Sequence, residues 1–373
     1  MNMLRVPAQE GAPLDHRCVL MTVDAVGGVW RYAMELARGL LNHNIAVVFA
    51  GLGPRPTRHQ IDEAQRLGKL VWLDEPLDWI APAEVSVKDL PAKLVRLARE
   101  EGADILHLNL PSQAAGIETD LPVVVMSHSC VVTWWHTMRG GTMPQEWEWM
   151  KRQNAQGMAR ADVVVSPSGS HAQAIGECYG EQPTLRVVHN SISAFLHGAD
   201  KEPLVFAAGR WWDEGKNGRI LDEAAAQTLW PVITAGSTKG PNGQEMTFSH
   251  ARHMGEVPHS QVLAEVKRAG IVVSPSLYEP FGLAALEGAR AGAALVLSDI
   301  PTYRELWSDA AIFFEPRDAK ALAHAVNRLA SDSGLRNEFA ARALARSRRF
   351  TPDIQAGRMA ELYRQLVDQP MAA

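Results

Sequence analysis

Residues 271–293, IVVSPSLYEPFGLAALEGARAGA, constrain the fold more than any other stretch of this chain. Ile271-Val272-Val273 is a short β-branched run, and such runs bounded by turn residues form buried strands of a parallel sheet. Ser274-Pro275-Ser276 ends the strand, because Pro275 has no N–H to give to a ladder. A loop carrying Glu279 comes next, and a helix is expected from residue 283 to about 291. Pro280 is harmless just ahead of that helix, and Gly292 is a natural stop.

Two carboxylates frame this unit, Glu279 in the loop and Glu287 two turns into the helix. Leu283, Leu286 and Ala289 make an apolar helix face that Glu287 borders. A carboxylate on a half-buried face is costly unless something binds it. The amides of Gly282 and Leu283 point out of the helix N-terminus, a ready anion site, and Gly282 lets a ligand approach the backbone. An anion cradle flanked by carboxylates suits a ligand with both phosphates and hydroxyls, such as a nucleotide sugar. Either glutamate alone reads as a solvated charge. The pair, with Phe281-Gly282-Leu283 between them, does not. Here the chain resembles the retaining GT-B glycosyltransferases of family 4. Their signature is Glu, seven residues, Glu, preceded by Pro-Ser and containing Phe-Gly-Leu. This chain meets that spacing with Pro275-Ser276, Glu279, Phe281-Gly282-Leu283 and Glu287-Gly288.

With 373 residues the chain has room for two domains. A net charge of −5 offers no basic surface for nucleic acid. Cys18, Cys130 and Cys178 lack metal or redox spacing and read as free thiols of a reducing cytosol. The first residues hold no apolar signal region, and no run is long enough to span a bilayer. A cytoplasmic protein is expected, peripheral to the inner face of the membrane if its acceptor is lipid-linked.

In the first half, apolar runs at 18–23, 45–51, 105–110, 123–127, 162–166 and 186–189 alternate with helical patterns such as 29–41. The second half repeats this, with runs at 204–208, 231–235, 251–254, 271–274, 294–297 and 311–314. Such alternation implies parallel sheets covered on both faces, with ligands beyond the carboxyl ends of the strands. The weakly periodic residues 191–203 read as a linker, dividing a domain at 1–195 from one at 203–352. The resemblance implies a GT-B fold of the α/β class, two doubly wound Rossmann-like domains facing across a cleft. It also implies that the last helix, about 353–373, packs back on the first domain.

Further candidates lie at strand ends. Gly27-Gly28 falls between the first strand and first helix, where a ligand can come close, but it is not the Gly-x-Gly-x-x-Gly fingerprint. His128 follows the run at 123–127. The segment from Gly209 to Gly218 looks like a phosphate-binding P-loop. However, it is one residue too long between Gly209 and Gly215, and Asn217 replaces the Ser or Thr that holds magnesium. The resemblance instead makes Arg210 and Lys216 a clamp for the donor diphosphate, where fixed cations stabilise the charge that develops on departure. It places Gly27 and Gly28 near the donor phosphate and acceptor, and His128 at the donor sugar. Val257 would lie at the nucleobase, and Asp299-Ile300-Pro301 with Glu305 behind the donor site. His250, His253 and His259 lack a carboxylate or thiol to complete a metal set. The Trp-rich residues 133–160 read as a helix packed on the sheet, with Arg139-Gly140-Gly141 as a loop near the cleft.

The resemblance therefore implies a retaining, metal-independent transferase using a UDP- or GDP-sugar, with a saccharide, lipid-linked or small-molecule acceptor. Glu279 would contact the donor sugar, Glu287 the ribose, and Phe281, Gly282 and Leu283 the rest of the donor. No cofactor is expected, and no Asp-x-Asp pair occurs to hold a metal. A GT-B sugar-nucleotide epimerase would need additional acid–base residues around the sugar. A non-catalytic partner subunit would have little use for Arg210, Lys216, Glu279 and Glu287 together.

Overall fold

The computed structural model describes residues 17–193 and 200–368; expectations for 1–16, for 194–199 of the linker and for 369–373 of the last helix lie outside the described residues. The first sheet is built from β1 Arg17–Asp24, β2 Ile45–Leu52, β3 Lys69–Trp72, β4 Ile105–Leu108, β5 Val123–Met126, β6 Val163–Ser166 and β7 Leu185–Val187. The second is built from β8 Glu202–Ala208, β9 Val232–Ala235, β10 Arg252–His253, β11 Ala269–Ser274, β12 Ala294–Ser298 and β13 Ile312–Phe314. The orders are β3-β2-β1-β4-β5-β6-β7 and β10-β9-β8-β11-β12-β13, and the paired strands are parallel. In each sheet the chain reverses its direction of travel once, beside β1 and β4 and beside β8 and β11. Loops diverge at such a point and leave a crevice at the carboxyl ends of the strands.

Helices cover both faces of both sheets, so β5, β6, β11 and β12 are buried along their whole length. That is why these strands read as continuous apolar runs rather than alternating ones. The strand β3 was not among the expected ones. It is a four-residue edge strand that starts on an exposed lysine and is only half-buried, so it carries little pattern. The expected run at 251–254 shrinks to the two-residue β10.

The helix Pro352–Asp368 lies on the helix Gly28–Leu40 of the first domain. A Cβ on Gly39 would fall 2.6 Å from the Cβ of Ala356, so only glycine permits this approach. The Tyr363 hydroxyl, buried in the same layer, reaches Nδ1 of His107 at 2.5 Å. The end of the chain thus belongs to the core of its beginning.

The domains also meet beside the crevice. Glu305, on the helix Pro301–Trp307, accepts the amides of Gly169 and Ser170 at 2.8 and 2.7 Å. These amides open the helix Gly169–Tyr179, whose positive end favours a carboxylate. Burial works against ionisation of Glu305, but His189, the two amides and the Ser170 hydroxyl outweigh it and hold its pKa at about 2. The Ser168 hydroxyl donates to the carbonyl of Pro280 at 2.7 Å. Among the described residues no helix is long and apolar enough to cross a membrane.

Candidate active site

The crevice between the domains collects the residues singled out above. On the second domain, the loop after β11 carries Glu279, whose Oε2 meets Nζ of Lys216 at 2.5 Å. Both side chains are largely enclosed, at 14% and 20% exposure, so the pair is shielded from solvent screening. The two loops are stitched together by the Leu277 amide, which donates to the Gly215 carbonyl at 2.8 Å. Asn217, at the position that disqualified a P-loop, has φ 57° and donates to the carbonyls of Pro275 and Pro316 at 2.9 and 2.8 Å. It therefore serves as a clasp between the end of β11 and the turn after β13.

Gly282 caps the helix Leu283–Arg290 with φ 92°, a left-handed conformation that suits glycine. A Cβ there would lie 2.6 Å from Cε1 of Tyr303, whose hydroxyl bonds Ser274 at the end of β11. Gly282→Ala is expected to lower stability by about 1–3 kcal/mol, from strain and from displacing Tyr303. The midpoint of urea unfolding measures it, and an unshifted midpoint would show that the cap is dispensable.

Glu287 is 7% exposed, and its Oε1 meets Nε2 of His259 at 2.9 Å. The other ring nitrogen of His259 lies 3.5 Å from Nη1 of Arg31, which pairs with Glu63 in the first domain. His259, considered above only as a metal ligand, is thus the partner that makes a buried glutamate tolerable. Val257, two residues earlier, is half-buried against the same apolar layer as Leu283. The Phe281 ring is taken up by the core. It is 3% exposed and packs edge-on to Phe350 at 5.5 Å and near His189 at 6.2 Å. The apolar ring is worth more in the core than in a wet crevice, so Phe281 anchors the loop through its side chain and presents no ring to a ligand.

The first domain supplies the facing wall. Arg210 follows β8 and points at Gly27, where a Cβ would fall 3.2 Å from its Nη1. A Cβ on Gly28 would lie 3.7 Å from Cδ1 of Leu283. The glycine pair therefore sits opposite both the cation and the helix N-terminus of the second domain. Asp24, just before it, was not picked out as a site residue. Its Oδ1 accepts the Val26 amide at 2.9 Å, and burial raises its pKa against that amide and the Arg210 charge.

His128 follows β5 and belongs to a buried network. Asn109 Nδ2 donates to the Thr22 carbonyl at 2.6 Å, so Asn109 Oδ1 is an acceptor. It takes Nε2 of both His128 and His107, at 2.9 and 3.2 Å. His128 is therefore the Nε2–H tautomer, with Nδ1 left as its acceptor atom. Burial, then the neighbouring His107 and His171, push its pKa down to about 3, so the ring is neutral near pH 7. Asn109 gave no sequence signal beyond its place after β4.

Among the described residues no group of three or more His, Cys, Asp or Glu converges to hold a metal ion. His253 instead bonds Thr234 at 3.0 Å and stacks on Phe248. The Trp-rich segment forms two helices: Val131–Met138 joins a small cluster with Cys130, Met143 and Trp147, while Glu148–Arg160 packs on the first sheet through Met158.

Comparison with known proteins agrees with this geometry. A family model described as Glycosyltransferase Family 4 matches residues 26–194, and one described as Glycosyl transferases group 1 matches residues 245–346. Glycogen synthase of Mycobacterium tuberculosis is 39% identical over 104 residues, 27% of this chain and 24% of that protein. O-antigen chain mannosyltransferase B of Escherichia coli is 26% identical over 149 residues, 40% of this chain and 34% of that protein. The matched stretches thus span less than two thirds of either relative. Anabaena Alr3699/HepE, solved in complex with UDP-glucose, superposes with a TM-score of 0.75 at 17% identity, covering 94% of this chain and 100% of that one; this is a likeness of fold. One family model takes in the Gly27-Gly28 wall and the other the Glu279–Glu287 wall, and the chain belongs to the family 4-like glycosyltransferases of the GT-B fold.

Proposed function

We propose that the protein is a retaining hexosyltransferase that moves a sugar from a nucleotide-diphosphate sugar to a glycan or small-molecule acceptor without a metal. The observation that carries this reading is the convergence of Arg210, Lys216 and the Gly282 helix N-terminus opposite Gly27-Gly28. Two cations and a row of amides there match a diphosphate that gains charge as it leaves.

In this reading Lys216 and Arg210 hold the diphosphate oxygens, with the Gly282 and Leu283 amides beside them. Glu287 accepts the ribose hydroxyls, exchanging its bond to His259 for them. Glu279 accepts hydroxyls of the donor sugar and keeps Lys216 aimed. Neutral His128 offers Nδ1 to the sugar from the other wall. The bond between the anomeric carbon and the phosphate oxygen breaks, and the acceptor oxygen attacks on the same face. The acceptor proton passes to the departing phosphate, so no protein nucleophile is assigned. Contact between the domains keeps water from competing. The mannosyltransferase and glycogen synthase relatives support a hexose, and the HepE complex supports a UDP-sugar.

Thermal unfolding with UDP, GDP and ADP, each with and without EDTA, tests this for the wild type and Glu287→Ala. A nucleotide at about 100 times its Kd stabilises by roughly 2.7 kcal/mol. One nucleotide is expected to raise the midpoint, to keep its effect in EDTA, and to lose it in Glu287→Ala. An equal response of wild type and variant would remove Glu287 from the donor site. Loss of the shift in EDTA would remove metal independence.

A further inference from the structure

The helix Val131–Met138 belongs to the first domain, yet its first turn is fastened to both donor loops of the second. The Thr133 hydroxyl meets the Tyr278 hydroxyl at 2.8 Å, next to Glu279. Trp134 Nε1 donates to Asp213 Oδ1 at 3.2 Å. The same oxygen accepts the Gly215 amide at 2.9 Å, while Oδ2 of Asp213 faces Nη2 of Arg210 at 3.4 Å. The Lys216 amide donates to the Asp213 carbonyl at 2.9 Å. Asp213 thus lies between the two cations, and its side chain is only 14% exposed. A Cβ on Gly215 would sit 3.1 Å from Trp134 Nε1, so the indole is pressed against the loop backbone. Arg139 lies over the Trp134 ring, 5.3 Å from its centroid, and pairs with Glu214 on the far side of the loop.

We propose that Trp134 is a positioning residue for the phosphate cations: reaching across the domain boundary, it holds Asp213, and through it Arg210 and the loop before Lys216, in the geometry used for transfer. The proposal rests on the donor-site reading above. Its physical basis is that Asp213 has two jobs on one carboxylate. The oxygen that takes the indole N–H also caps the Gly215 amide, and the other oxygen directs the guanidinium. An oriented carboxylate positions an arginine, whereas a rotating one does not. The indole is supplied only when the domains touch, so the cations are aligned only in the arrangement that excludes water. Nucleotide is held also by Glu287 and the Gly282 helix, so its binding depends less on this strap than transfer does. The transfer step depends on it strongly.

The test compares wild type, Trp134→Phe, Asp213→Ala and the double variant. Trp134→Phe keeps an aromatic ring under Arg139 and removes the N–H together with the five-membered part of the indole. Turnover of UDP-glucose and GDP-mannose, Kd for UDP and GDP, and hydrogen exchange of the amides of 213–217 are measured. Trp134→Phe is expected to lower kcat about tenfold while the nucleotide Kd stays within about threefold. Exchange at Gly215, Lys216 and Asn217 is expected to quicken while the thermal midpoint moves little. The double variant is expected to be no slower than Asp213→Ala, because both act through one carboxylate. An unchanged kcat, unchanged exchange, or losses that multiply in the double variant overturn the proposal. If the wild type turns over neither donor and binds neither nucleotide, the donor reading fails. Exchange then decides the strap by itself: quickening at 213–217 supports it, and no change overturns it.

Discussion

Lys216→Ala is expected to lower kcat by about two to three orders of magnitude, the usual cost of removing one fixed charge-stabilising group from a transition state. The effect has two sources. The departing diphosphate loses a cation, and Glu279 loses the partner that its Oε2 meets at 2.5 Å. An enclosed carboxylate without its partner is costly, so the loop that carries Glu279 loosens as well. Lys216→Arg restores charge but not the compact geometry, and an intermediate rate is expected from it. Steady-state kinetics with saturating donor measures the loss, and the thermal midpoint separates it from unfolding. A Lys216→Ala enzyme within fivefold of the wild type would remove Lys216 from the clamp.

Below neutral pH the first domain is expected to lose stability steeply. His107 and His171 are 0% and 2% exposed, and burial lowers both pKa values from 6.5 to about 4. Because the folded values lie below the unfolded ones, the unfolded chain takes up these protons first. The stability tied to the neutral rings is therefore complete above about pH 6.5 and lost as pH falls towards 4. Each histidine costs about 1.4 kcal/mol per pH unit in that window, so at pH 5.5 the two together remove at most roughly 3 kcal/mol. His128, lowered to about 3, adds to this with a smaller weight because it is only half-buried. Glu305, held at about 2 in the folded chain, contributes its own loss as pH drops from 4.5 towards 2. Urea midpoints measured from pH 8 to pH 5 report the first window. A midpoint that stays level across it would show that the rings are less enclosed than the fold implies. Tyr363→Phe removes the hydroxyl at His107 Nδ1, and the same titration then reveals how far the last helix tunes that ring.

Part of the candidate site was legible because its residues are close in sequence. Glu279, Gly282 and Glu287 lie on one strand, loop and helix, so their spacing alone sets which of them share a helix face and which precede its N-terminus. Gly27-Gly28 and Arg210 stood out at strand ends, and β1 and β8 prove to lie at the switch point of their sheets. Periodicity marked the buried strands because a strand covered on both faces must be apolar throughout. The edge strand β3 escaped because an edge makes no such demand. The direction of the Phe281 ring was not legible, because adjacency to a site does not show which way a ring turns, and here the core of Phe350 and His189 claimed it.

What the sequence by itself determined is therefore the local geometry: two parallel sheets, their strand ends, and the charged groups placed there. The tertiary structure alone decided which of those groups meet. Lys216 is 63 residues from Glu279, His259 is 28 from Glu287, and Trp134 is 79 from Asp213. No local period encodes such distances. The first two are set inside the second domain, where β8 lies beside β11 and the helix His259–Arg268 lies against the helix Leu283–Arg290; only the third is set by how the two domains press their loops together. The helix Pro352–Asp368, returning to the first domain core, and Glu305, capping a helix across the boundary, hold the domains in that contact.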